Sequence, residues 1–167
     1  MADFRTAFLR TMAFEDDPRH PGAVSAEPHG GRARLGVNSL AHPELPDDFW
    51  TGSYEHALEF AEKLFERDYW APLKLGSVIS QDVANKVYDI AVNQGVGTAA
   101  KMLQEVAGVR VDGQIGPVTL LALNQTDAEV AFKKLCDAAA ARHRHLAEMN
   151  PGVYGQWLRA WLERDAK

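Results

Sequence analysis

Apolar residues recur at helical spacing from the start of the chain. Phe4, Ala7, Phe8, Thr11 and Met12 share one face with Arg5 and Arg10 turned outward, which predicts an opening amphipathic helix. Asp16, Asp17 and Pro18 stop it near Glu15. From Asp16 to Arg34 the periodicity disappears, and the run DDPRHPGAVSAEPHGGRAR is rich in Pro, Gly and His. That predicts a long loop, and long loops in compact domains are more often functional than idle. Leu35-Gly36-Val37 reads as a short strand closing the loop, and Asp47 to Ser53 as a connection. Tyr54, Leu58, Ala61, Leu64, Phe65 and Tyr69 then mark an amphipathic helix up to Trp70. Ser80 is placed to cap a helix through Val83, Val87, Ile90 and Ala91 that ends at Gly95. Residues 99–106, 118–123 and 127–149 read as further helices, and Asn150-Pro151-Gly152 breaks the chain before a last one carrying Trp157, Leu158 and Trp161. The expectation is seven or eight helices with minimal strand, a mainly α fold.

Composition narrows the classes. With 167 residues, 46% hydrophobic and 25% charged, the chain can bury a proper core as one domain or one and a half. A net charge of −5 argues against a nucleic-acid binder. Cys136 is the only cysteine, so an internal disulfide and a cysteine-built metal site are excluded; in its Ala-rich run it reads as a small buried hydrophobe. No apolar run approaches the ~18 residues needed to span a membrane. Charges within the first ten residues do not suit a Sec signal peptide. The expectation is synthesis in the cytoplasm, action in the periplasm or cell wall after release, and passage through a holin, a secretion device or lysis.

Glu15 is the sharpest candidate for chemistry. It follows Phe14 where an apolar helix meets a polar loop. An apolar wall disfavours a charged carboxylate and suits it to general-acid work; the plainer reading is a solvated helix end. His20, His29 and His42 show no metal-ligand spacing, and neither a metal nor a cofactor is called for. His143 and His145 alternate with Arg142 and Arg144 and read as a solvated basic face. Tyr69, Trp70, Tyr88, Asn93 and Gln94 carry rings that stack on sugars and amides that bind hydroxyls, although rings at helix ends also serve as packing. Asp89, within an apolar face, reads as a buried residue tying down the Asn93 turn.

Two motifs carry a family resemblance. The order Leu103-Gln104, Asp112-Gly113, Gly116-Pro117, Thr119 physically spells helix, compact turn, helix, and it resembles the repeat of peptidoglycan-binding modules. Phe4, Ala7-Phe8, Ala13-Phe14-Glu15-Asp16, the run Gly30 to Asn38, His42-Pro43, Tyr69-Trp70 and the run Val87 to Gly95 look like glycoside hydrolase family 108, the N-acetylmuramidases. The segment from about Val96, including Gln156-Trp157-Leu158-Arg159-Ala160, resembles the peptidoglycan-binding part usually joined to it. The resemblance implies a lysozyme-like muramidase lobe over residues 1–95 and a helical peptidoglycan-binding lobe over 96–167, packed as one unit.

By that resemblance Glu15 is the catalytic acid and peptidoglycan glycan strands are the substrate, cleaved at the MurNAc-GlcNAc β-1,4 bond. Tyr69, Tyr88, Asn93 and Gln94 are the expected substrate contacts. Two departures stand out. The family usually has an aspartate shortly before the Gly-Gly pair and a threonine two residues after it; here Glu27, Pro28 and His29 precede Gly30, and Ala33 follows. Glu27 or His29 would have to activate the attacking water. The competing readings are a wall-binding protein without activity and a phage-tail or secretion-apparatus component.

Overall fold

The computed structural model describes residues 1–27 and 30–167. His29, a candidate water-activating residue, lies outside the described residues. The fold is mainly α. Helix α1 runs Phe4–Glu15, its N-terminus capped where Asp3 accepts from the Thr6 amide at 2.7 Å. Its buried face is Ala7, Phe8, Thr11 and Met12, the apolar series of the sequence. Asp16 ends it in extended conformation, so Glu15 occupies the last helical position.

The loop that follows folds into a small antiparallel sheet of β1 (Ser25–Ala26), β2 (Arg32–Arg34) and β3 (Val37–Asn38), in that spatial order. Leu35-Gly36-Val37 is not one strand. Ala33 pairs with Asn38 and Arg34 with Val37, so Leu35 and Gly36 form a two-residue hairpin turn. Both have positive φ, 51° and 74°, as a turn matching the twist of tight hairpins requires. Leu35 adopts this unfavourable conformation while buried to 3% exposure; burying its side chain offsets the strain.

Asp47 to Ser53 is not a bare connection either. Asp47–Thr51 forms α2, with Asp47 and Asp48 in its first turn and Phe49 and Trp50 buried. Carboxylates there suit the positive end of a helix, and five residues are too few to show a period. Helix α3 covers Tyr54–Phe65, and the expected continuation to Trp70 winds instead as a π turn over Glu66–Trp70, just before Pro72 withdraws an amide donor.

Helices α4 (Gln81–Gln94) and α5 (Val96–Ala107) meet at Gly95, and Ser80 caps α4 by accepting from Val83 at 3.4 Å. Then come α6 (Pro117–Gln125), α7 (Ala128–Met149), α8 (Pro151–Tyr154) and α9 (Leu158–Asp165), for nine α-helices among the described residues. One hydrophobic cluster runs from Phe8 and Phe65 through Tyr88 and Leu103 to Leu135 and Ala139. Partly buried Phe4 packs against it, meeting the buried Trp70 and Tyr88, and the three rings lie edge to face with centroids 5.6–5.8 Å apart.

The basic face expected around His143 is corrected. His143 is 3% exposed; its Nδ1 lies 2.7 Å from Asp165, and its ring stacks on Trp161 at 4.6 Å. The α7 period carries His143 inward, in step with buried Leu135, Ala139 and Ala147, while Arg142, Arg144 and His145 stay exposed. Cys136 is half-buried rather than buried, and burial raises its thiol pKa.

Candidate functional site

A groove of about 520 Å³ opens between the end of α1 and the sheet. Glu15, Asp16, Asp17 and His20 line it on the helix side; Ser25, Glu27, Ala33, Leu35, Gly36 and Asn38 line it on the sheet side. Local turn chemistry holds the helix side in place. Asp16 accepts from the Gly22 amide at 2.8 Å, and Asp17 accepts from Arg19, whose hydrogen bonds, followed by that of His20, hold the Asp17 carboxyl at about 2.

Behind the sheet side, Arg34 is buried and donates to the carbonyls of Gly22, Phe49, Gly52 and Ser53. One guanidinium thereby ties the loop to α2. Its five donors suit four carbonyls without a carboxylate.

Glu15 sits at the hairpin turn. A Cβ placed on Gly36 would lie 3.1 Å from the Glu15 Cβ and 3.2 Å from its Oε2, so only glycine leaves the side chain undisturbed there. The wall expected from Phe14 is not what faces the carboxyl. Arg164, from α9, places Nη1 2.8 Å from Glu15 Oε1 and covers the Phe14 ring at 4.9 Å. The same guanidinium donates through Nε to Asp89 Oδ1 at 2.8 Å. With the Asn93 amide turned so that its oxygen faces Arg164, that oxygen accepts from Nε at 2.6 Å and from Nη1 at 3.3 Å. Burial opposes the Arg164 charge, but Asp89 and then Glu15 outweigh it and raise its pKa. Asp89 and Asn93, one helical turn apart, are thus joined through a residue from the far end of the chain.

The other sequence-named residues distribute as follows. Glu27 shares the groove with Glu15 and is partly exposed. Tyr69 is partly buried; burial, then the charges of Asp68 and Glu15, raises its phenol pKa. Tyr88 is 0% exposed, and burial pushes its pKa up strongly. A side chain so enclosed cannot touch a glycan, so Tyr88 is corrected to a core residue. Asn93 is exposed beside Arg164. Gln94 borders a different concavity, of about 740 Å³, with Lys101, Arg142 and His145. Its amide nitrogen and oxygen are buried with no hydrogen-bond partner among the described residues, so it is corrected to a residue not placed to bind sugar hydroxyls.

The DGxxGPxT turn has its own anchor. Gln104 is 1% exposed; its Oε1 accepts from the amides of Asp112 at 3.0 Å and Gly113 at 2.7 Å, while Nε2 donates to Asp112 Oδ1 at 2.8 Å. The glutamine of the motif is therefore what folds its turn. Pro117 opens α6, as expected from its fixed φ.

Arg34 and Arg164 are the residues that sequence reasoning missed. Asp165, next to Arg164, continues the i, i+3, i+4, i+7 series of Leu158, Trp161 and Leu162, a sign that the end of α9 turns inward. Nothing in the sequence pairs Arg164 with Glu15.

The fold and groove define a mainly α protein in which helices carry a small sheet beside a carboxylate-lined cleft. Residues 19–95 match the family described as Glycosyl hydrolase 108, and residues 98–166 match the Predicted Peptidoglycan domain. The chain is thus similar to a glycosyl hydrolase 108 region over one part and to a peptidoglycan domain over the next, a pairing that supports a peptidoglycan-hydrolase-like function. The first match begins at Arg19, past Glu15, so Glu15 rests on its geometry. Among solved structures the chain is similar to Brucella abortus SagA, with a TM-score of 0.73 and 24% identity over 98% of this chain and 89% of that one. No curated protein matches. Among the described residues no helix is long and apolar enough to cross a membrane.

Proposed function

We propose that the protein is an N-acetylmuramidase that hydrolyses the β-1,4 bond between N-acetylmuramic acid and N-acetylglucosamine in peptidoglycan. The observation that carries this reading is that Glu15 and Glu27 line one groove with room for sugar units. Glu15 donates a proton to the glycosidic oxygen. A water oriented by Glu27 attacks the anomeric carbon, the C–O bond breaks, and the water's proton passes to Glu27. Tyr69, partly exposed and within the field of the Glu15 charge, and Asn93, exposed beside Arg164, are the sugar contacts. The peptidoglycan-domain region adds wall affinity, and the products are shorter glycan strands with new reducing ends.

A second reading is favoured by Ala33, which lines the groove where the family resemblance implies a threonine nearby. That reading is a wall binder without hydrolysis. Purified protein added to sacculi separates the two. Falling turbidity with new reducing ends supports the muramidase, and sacculus binding without either supports the binder. Glu15→Gln should lower hydrolysis at least about a hundredfold while sacculus binding persists. Full activity in that variant would exclude Glu15 as the acid.

A further inference from the structure

We propose that Arg164, in the peptidoglycan-domain region, is a positioning residue that selects which oxygen of Glu15 carries the proton to substrate. The inference rests on the reading of Glu15 as the acid. Arg164 takes Oε1 at 2.8 Å, and a guanidinium has donors only, so the oxygen it contacts must accept. The other oxygen, Oε2, is the one next to groove-lining Gly36, at 3.2 Å from where a Cβ would stand. A proton on Glu15 therefore sits on Oε2, on the groove side, where a glycosidic oxygen would receive it.

The guanidinium is itself fixed from several directions. Asp89 accepts from Nε at 2.8 Å, Asn93 reaches the same nitrogen, and Phe14 lies under the guanidinium carbon at 4.9 Å. Next along the chain, Asp165 binds His143 at 2.7 Å with both side chains almost fully buried. Lys86, also buried, donates to the Arg164 carbonyl at 3.4 Å. Helix α9 is thereby fastened at the residue that touches Glu15 and at the one directly after it. A planar fork divides its donors between two carboxylates; an ammonium on a flexible stem keeps the charge but not that division. On this assignment the C-terminal region completes the catalytic arrangement as well as holding the wall.

The test uses the full chain and soluble glycan strands as substrate. Arg164→Lys should keep the wild-type Tm within a few degrees and the wild-type KM within about threefold, while kcat falls about tenfold or more. Arg164→Ala should fall further, and millimolar methylguanidinium should restore part of its kcat without moving Tm, whereas methylammonium should not. Wild-type kcat in Arg164→Lys overturns the proposal and leaves Glu15 as the acid if Glu15→Gln is inactive. An Arg164→Ala variant whose kcat and Tm fall together, with no rescue, overturns it in favour of a purely structural contact. Full activity in Glu15→Gln removes the acid, and the positioning role with it.

Discussion

Replacing Gly36 by alanine tests the site through its tightest point. Gly36 has φ 74° in the hairpin turn, a conformation that costs a residue with a Cβ about 1–2 kcal/mol. For a chain of this size that lowers Tm by about 2–8 °C. The new methyl would also stand 3.1 Å from the Glu15 Cβ, 3.2 Å from Oε2 and 3.3 Å from Cγ, so either the turn or Glu15 must yield by a few tenths of an ångström. At roughly a hundredfold loss per ångström of misplacement, kcat should fall about three- to tenfold beyond any effect of stability. Gly108 provides the control: its φ is 67° at the end of α5, with nothing within 4 Å of an added Cβ. Gly108→Ala should show a similar fall in Tm and wild-type release of reducing ends, measured well below either Tm. Equal activity in both variants and the wild type would refute the claim that the turn sets the position of Glu15. An equal loss in both would trace the effect to stability.

Two further substitutions probe the C-terminal region. Gln104→Ala leaves the Asp112 and Gly113 amides without their acceptor; it should cost about 1–2 kcal/mol and speed hydrogen exchange at those two amides, and unchanged exchange there would show that the turn holds itself. His143→Leu leaves the buried Asp165 carboxylate without its 2.7 Å partner and should destabilise by about 3 kcal/mol in thermal unfolding. If Arg164 depends on a docked α9, the variant should also lose hydrolysis at temperatures where the rest of the chain stays folded, and full activity there would break that link.

Local information sufficed for much of the molecule. The apolar series of α1, the Ser80 cap, the break at Asn150-Pro151 and the opening of α6 at Pro117 are set by residues within a turn or two of one another, and such signals lie open in the sequence. The family resemblance, too, stood on local motifs such as DGxxGPxT. Glu15 could be singled out because the end of its helix and the start of a polar loop are both local features.

What the sequence could not contain was who meets whom. Leu35 reads as a strand residue, yet cross-strand pairing of Arg34 with Val37 makes it half of a turn. Tyr88 reads as a sugar contact, yet Phe4 and Trp70 close over it. His143 reads as surface charge and Arg164 draws no reading at all, until the packing of α9 brings Arg164 to Glu15 and Asp165 to His143. Periodicity reports which face of a helix turns inward. The partner waiting on that face depends on chain closure over many tens of residues, and only the tertiary structure decides it.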